Sequence, residues 1–375
     1  MQMAKTDRYP ALDGIRGIAV LMVMFSHGVK RHFPLGGVGV DIFFVLSGFL
    51  ITALLVREYD KYGSIILKNF YMRRFLRLMP CLWIVVGAFL LLSLFFQTEA
   101  NPVRSAVVTL LYLMNWTRAF KGSELELFGH TFQLGHDSGW LGHTWSLGVE
   151  EQFYLIWPFC ILLICRFVRS NKNRAIILFV AFIGLTLYRM HVLPVWSLLR
   201  TYDGLDTRAN GLVLGSCLAL VNLAGQVNFS GYRRFIPYLT PFALLALVLI
   251  GHFQDQLDLY ILGVDVRLIS ILCGAILIYD CVAERTTLVT RILSNRILCF
   301  CGTISYGLYL WHYPIYKGLR LTGIFVTDTW QILVAGGALS LVAASSSYFL
   351  VENRFLDMKT KWTRKVERSG PAPPT

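Results

Sequence analysis

Charge is scarce in this chain. Only 15% of its 375 residues are Asp, Glu, Lys or Arg, whereas 55% are hydrophobic and 14% aromatic. A soluble domain carries roughly a quarter charged residues, so a water-facing globular surface is excluded over most of the length. No polar stretch is long enough for an appended soluble catalytic domain. None of the eight cysteines (Cys81, Cys160, Cys165, Cys217, Cys273, Cys281, Cys299, Cys301) forms a Cys-x-x-Cys pair. No histidine spacing suggests zinc, so no metal is expected and the cysteines read as small packing residues. A cleavable leader is not expected either, because Met1 to Pro10 is polar and the apolar run after it lacks a small-residue cleavage pattern. No internal repeat is visible.

Acids are fewer than bases, 22 against 35, giving a formal net charge of +13. The Lys and Arg gather in short loops between apolar segments, a pattern that suits the cytoplasmic side of a membrane rather than nucleic acid. What fills the chain instead is a series of long apolar segments, so the expected class is an all-α polytopic membrane protein. Candidate spans lie at about 11–30, 36–57, 79–98, 146–168, 174–191, 208–224, 235–253, 262–282, 298–319 and 329–351. With ten spans and both termini cytoplasmic, 23 of the 35 Lys and Arg face inward and 10 outward, Arg16 and Arg267 lying within spans. An eleventh span through the short run 104–118 would flip every later loop and reverse that bias, so residues 103–117 read as interfacial or re-entrant. One membrane domain, 1–355, is followed by a basic, Pro-rich cytoplasmic tail, 356–375, expected to be disordered. The basic loop 57–78 is expected on the cytoplasmic side, and 98–145 and 191–207 outside.

Several polar groups stand inside this apolar frame. The first span carries Arg16 near one end and His27 near the other, eleven residues apart, about 16 Å along a helix. Ionisable groups at such depth face a partner, a polar cavity or a reaction, unless they snorkel to the headgroups. Asp41 opens the second span, either as an acid favoured at a helix N-terminus or as a partner within reach of His27. In Phe70-Tyr71-Met72-Arg73-Arg74-Phe75-Leu76-Arg77, Arg74 and Arg77 share a helix face, and Arg73 and Arg77 can do likewise. Guanidinium groups so placed grip phosphate, whether of a lipid or of a ligand. Then His143-Thr144-Trp145-Ser146-Leu147-Gly148-Val149-Glu150-Glu151 sets two adjacent acids at the mouth of an apolar helix, where Ser146 reads as a cap. One acid, Glu150 or Glu151, is suited to hold His27 in a useful tautomer or to bind an acceptor hydroxyl. Asp206 and Arg208 form an acid–base pair at a later mouth. Tyr306, Tyr309, Trp311 and His312 cluster near the end, as an aromatic belt or a platform for a sugar ring.

Taken in order, these motifs resemble the acyltransferase-3 family of membrane O-acyltransferases. The resemblance runs from Tyr9 to about Phe355. It rests on Leu-Asp-Gly-x-Arg-Gly with Arg16 and His27, Gly-Val-Asp-x-Phe-Phe-Val-Leu-Ser-Gly-Phe, the Arg-x-x-Arg of Arg74 and Arg77, His-Thr-Trp-Ser-Leu-x-Val-Glu-Glu-Gln-Phe-Tyr, and Ser-Tyr-x-Leu-Tyr-Leu-Trp-His.

The resemblance implies an enzyme of a bacterial inner membrane, with no bound cofactor, that moves an acetyl or other acyl group from acetyl-CoA onto a hydroxyl of a surface or secreted glycan or glycolipid. O-antigen or other lipopolysaccharide, exopolysaccharide, a periplasmic glucan and a lipo-chitooligosaccharide are all acceptors of that kind. It carries activity onto Arg16, His27, Arg74 and Arg77. Arg73, Arg74 and Arg77 would take the donor's phosphates. His27 would act as base or receive the acyl group, assisted by Glu150 or Glu151, while Arg16 would contact the donor or the developing negative charge. Asp41, His143, Trp145, Ser146, Asp206, Arg208, Tyr306, Tyr309, Trp311 and His312 would support the acceptor. Some members carry a fused esterase-like domain, for which this chain shows no candidate. The rival reading is a transporter or flippase for a glycan or lipid-linked sugar, which gives no reason for arginines suited to a nucleotide phosphate.

Overall fold

The computed structural model describes residues 9–29, 35–96, 98–122, 124–127, 130–133, 139–225, 230–253, 265–283, 287–325 and 330–358. The architecture is helical. In chain order come α1 (Pro10–Gly28), α2 (Gly36–Tyr62), α3 (Leu67–Ser93) and two short helices, α4 (Pro102–Leu110) and α5 (Met114–Ala119). Next is a two-stranded hairpin, β1 (Glu124–Leu127) against β2 (His130–Gln133), antiparallel with Glu124 opposite Gln133. A short turn of 3-10 helix at Gly142–Thr144 leads into α6 (Trp145–Phe167), α7 (Asn171–Val192), α8 (Leu198–Asp203), α9 (Leu205–Leu223), α10 (Ser230–Phe253) and α11 (Val266–Val282). The chain continues through α12 (Leu288–Leu293), α13 (Arg296–Thr303), α14 (Ser305–Leu321) and α15 (Trp330–Ser347), which runs on into a π-helical turn over Tyr348–Glu352.

Six helical stretches among the described residues are long and apolar enough to cross a membrane: Pro10–Gly28, Gly36–Tyr62, Leu67–Ser93, Gly142–Phe167, Asn171–Val192 and Trp330–Met358. Each overlaps an expected span, though Leu67–Ser93 begins twelve residues before the expected 79. Large apolar side chains that are exposed on the protein alone, such as Phe179, Val180 and Leu187 of α7, then face lipid.

Around α1, α2 and α9 the helices approach closely. A side chain on Gly48 of α2 would collide with the backbone carbonyl of Leu212, and one on Gly215 of α9 with that of Val45. The two helices therefore meet backbone to backbone, which suits a bilayer interior where dispersion contacts replace the hydrophobic effect. The innermost layer is made of Ala19, Val20, Val45, Leu46, Leu212 and Leu220, all 1% exposed or less.

Two expectations need correction. The basic segment 57–78 is not a loop. α2 continues to Tyr62, the chain turns at Gly63 in the left-handed region (φ 70°), and α3 starts at Leu67. Glu58 sets this turn, accepting from the Ile66 backbone N–H (2.9 Å) and from Arg73 (2.8 Å). Arg73, Arg74 and Arg77 thus ride on the second to fourth turns of α3, half-buried. The stretch 298–319 is also not one rod. It breaks at Ile304 between α13 and α14, where Gly302 lies against the Asp13 backbone so tightly that a Cβ would clash. The run 103–117 forms the short helices α4 and α5. The tail expected from residue 356 lies, from 359 onward, outside the described residues.

Candidate active site

Five helices deliver side chains to one cavity of about 690 Å³. α1 brings Arg16, α2 Ser47, α3 Arg74 and Arg77, α6 Glu150, Glu151 and Tyr154, and α14 Tyr306 and Tyr309. A second chamber of about 610 Å³ shares Arg16, Ser47, Arg74, Arg77 and Tyr154 with the first and adds Arg73, Phe70 and Leu54. The helical spacing of Arg74 and Arg77 puts both guanidinium groups on the same wall, as read from the sequence.

Charge in this cavity is ordered. Arg74 pairs with Glu151 at 2.7 Å and lies 3.8 Å over the ring of Tyr154. Glu150 instead accepts from the Ser47 hydroxyl at 2.7 Å. The two adjacent glutamates therefore serve different partners, one a cation and one a neutral donor. With all groups ionised, Arg16, Arg74 and Arg77 against Glu150 and Glu151 leave the wall one positive charge in surplus. Such a wall suits an anionic ligand.

A second polar cluster lies further along α1. His27 Nδ1 is 2.9 Å from His312 Nε2, and the Arg320 guanidinium donates to the His27 carbonyl at 2.6 Å. His143, from the 3-10 turn, is 3% exposed. Its ring packs 5.0 Å from that of Tyr313 and 5.3 Å from that of His312, and both its nitrogens lack a hydrogen-bond partner among the described residues. A buried imidazole with unspent donor and acceptor is costly unless a ligand completes it.

Tyr309 joins the two clusters. It lines the cavity, its hydroxyl donates to the His143 carbonyl at 2.5 Å, and it accepts from Ser146 at 2.6 Å. Ser146 is thus not the cap of α6, a place taken by Thr144. It sits inside the first turn and is spent on Tyr309. Arg16 to His27 is about 16 Å of helix, so the arginine-rich cavity and the histidines occupy successive levels of one bundle.

Some sequence candidates fall elsewhere. Asp41 does not serve His27. It is 1% exposed and lies 2.7 Å from Arg208 and 3.6 Å from Arg267, which neutralise it. Asp206 and Arg208 do not pair with each other either, because Asp206 goes to Arg200 at 2.8 Å. They stand two residues apart in the first turn of α9, so they point to opposite sides of the helix. Trp145 packs beside Tyr202 and Phe44. Trp311 leaves the histidine face of α14 and lines a separate apolar cavity of about 870 Å³ with Trp140, Phe89 and Pro314. Tyr306 lines the arginine cavity, its hydroxyl donating to the Leu78 carbonyl at 3.0 Å. Off the membrane-spanning helices, burial pushes the Asp203 carboxyl above the usual carboxylate range, with Arg118 at 2.9 Å pulling the other way.

Ser47 and Tyr154 were not singled out from sequence. Tyr154 is signalled only by its place three residues after Glu151, on the same helix face. Ser47 gives no local signal, since its partner is 103 residues away.

The family model described as an acyltransferase domain, acyltransferase-3, matches residues 9–349. The chain is 32% identical over 371 residues to the peptidoglycan O-acetyltransferase OatA of Listeria monocytogenes, covering 93% of this chain and 57% of that protein. It is 34% identical over 316 residues to a putative peptidoglycan O-acetyltransferase of Bacillus subtilis, covering 82% and 48% respectively. It is 30% identical over 361 residues to a putative O-acetyltransferase of Staphylococcus aureus, covering 94% and 58%. The chain thus spans about half the length of the curated relatives it matches. No solved structure matches it.

Proposed function

Given that the chain belongs to the acyltransferase-3 family, we propose that it transfers an acetyl group from acetyl-CoA to a hydroxyl of a surface glycan, peptidoglycan or a polymer like it. Supporting this reading is one observation above all: an arginine-lined cavity that meets, through Tyr309, a hydrogen-bonded pair of histidines, His312 buried and His27 half-buried. The protein lies in a bacterial inner membrane with ten spans and both termini cytoplasmic, so that the Arg73 end of the cavity opens toward the coenzyme A pool. Likeness to two relatives named for peptidoglycan supports the acceptor class.

In this reading Arg73, Arg74 and Arg77 hold the donor's phosphates, and the thin pantetheine arm threads past Arg16 toward Tyr309. His27 takes the proton of the acceptor hydroxyl as that oxygen attacks the thioester carbonyl carbon. The carbon–sulfur bond then breaks, the sulfur leaves as thiolate, and His27 returns the proton to it. Free coenzyme A and the acetyl ester are the products. Arg16 offers positive charge near the donor as negative charge develops on the carbonyl oxygen.

The test is mass spectrometry of cell-wall and secreted glycans from cells lacking the gene, complemented by wild type or by His27→Ala. An ester with the mass of an added acetyl group should appear with wild type and vanish with the variant, while membrane insertion is unchanged. Near-normal acetylation by the variant would sink the proposal, and an unmodified glycan accumulating inside the deleted cells would favour transport instead.

A further inference from the structure

His312 is completely buried, at 0% exposure, and uses both ring nitrogens. Its Nδ1 lies 3.1 Å from the carbonyl oxygen of Leu308, one turn earlier on α14. A carbonyl oxygen only accepts, so Nδ1 carries the proton. No carboxylate touches the ring among the described residues, and an isolated buried charge is costly, so the ring is neutral and its Nε2 holds a lone pair.

That lone pair faces His27. The two rings are within 20° of coplanar with centroids 5.2 Å apart. At a nitrogen–nitrogen distance of 2.9 Å, this is an edge-to-edge contact, lying along the ring planes where an N–H and a lone pair point. If His312 Nε2 accepts, His27 Nδ1 must donate. The proton of neutral His27 is then on Nδ1, and its Nε2 is left as the basic nitrogen.

We propose that His312 is the positioning residue that sets the tautomer of His27. The chain runs from the Leu308 carbonyl through His312 to His27, and it leaves His27 Nε2 ready to accept a proton. When His27 becomes imidazolium, the bond from its Nδ1 to His312 becomes charge-assisted and strengthens. Glu150 and Glu151 are placed on Ser47 and Arg74. Arg320, from the last turn of α14, holds the His27 carbonyl. One helix therefore fixes both the backbone and the ring of the base. This inference rests on the proposed acyl transfer for its meaning, though not for its measurement.

The direct measurement is nitrogen-15 magnetic resonance of histidine-labelled protein in lipid nanodiscs, with His27→Gln used to assign the His27 signals. A protonated Nδ1 and an unprotonated Nε2 on His27 are expected, and the reverse tautomer overturns the proposal. This readout needs no turnover, so it stands even if acyl transfer is disproved. Three variants supply the kinetic arm. His312→Gln keeps an acceptor near the Nε2 position, His312→Asn falls short of it, and His312→Leu removes it. The Leu and Asn variants should lose about 10²–10⁴-fold in kcat with donor KM little changed. The Gln variant should keep most of the activity. If Gln is as inactive as Leu while inserting normally, His312 does not act through its acceptor nitrogen and the proposal fails.

Discussion

Arg74 and Glu151 meet at 2.7 Å, each with less than a fifth of its side chain exposed, and the guanidinium lies 3.8 Å over the ring of Tyr154 one turn further along α6. This one pair locks the basic end of α3 to the acidic start of α6, and it separates two roles that the sequence leaves merged in a single Arg-x-x-Arg.

Arg74→Ala should destabilise the protein by about 1.5–3 kcal/mol, because it strands the Glu151 carboxylate. Thermal unfolding in detergent would show it as a lowered Tm. Adding Glu151→Ala should restore part of that Tm without restoring donor use. If the double variant is no more stable than the single one, the pair is not what holds the two helices.

Arg77 serves the ligand more than the fold. Arg77→Glu should raise the apparent KM for acetyl-CoA at least about tenfold, equivalent to one lost charge-assisted contact, while Tm changes little. An unchanged KM would assign Arg77 to lipid anchoring.

Asp41 is the opposite case. Asp41→Asn leaves Arg208, itself only 2% exposed, without its counter-charge, and breaking such a pair costs about 3–5 kcal/mol. Loss of the monodisperse peak on size-exclusion chromatography is the expected readout. A well-behaved, stable variant would show that Arg208 has another way to be neutralised.

The contact of α2 with α9 predicts a steric effect. Gly48→Ala or Gly215→Ala forces a methyl group into a facing carbonyl and should cost about 1–3 kcal/mol. Tm measures it directly. The two substitutions should be less than additive, since a separation forced by one makes room for the other.

Tyr309→Phe removes both the bond to the His143 carbonyl and the bond from Ser146. About 1–2 kcal/mol of stability should be lost. Acetylation should fall more than that figure implies, because the ring at the junction of the two polar clusters is no longer held. Activity that simply tracks Tm would show that Tyr309 acts through the fold alone.

Local patterns made much of this legible. Apolar runs named the membrane class, and all six long apolar helices overlap expected spans, α3 only in part. Helical spacing put Arg74 and Arg77 on one face. Arg16, Glu150 and Glu151 stood out because charge in an apolar run is rare. What stayed hidden was pairing between helices. His27 and His312 are 285 residues apart, and nothing in either neighbourhood tells which side chain a helix will bring opposite. The same limit explains Asp41, whose candidate partner in the sequence, His27, was not the partner packing selected. The break at Ile304 was missed for another reason. Hydropathy averages over a window and does not register the close approach of Gly302 to the Asp13 backbone.

The π-helical turn at the end of α15 holds one residue more than a regular helix would fit there. Glu352 owes its inward position to that surplus residue: it is 7% exposed and accepts from Ser347, whose hydroxyl also lies 3.4 Å from Cys81. The turn behaves as an inserted tooth in a gear. Removing one residue from Tyr348–Val351 would let the helix close into ordinary pitch with the acid still facing inward, whereas forcing all five residues into ordinary pitch would swing it out toward the lipid, where it is expensive. This stretch therefore serves the fold through its pitch, which keeps Glu352 turned toward Ser347.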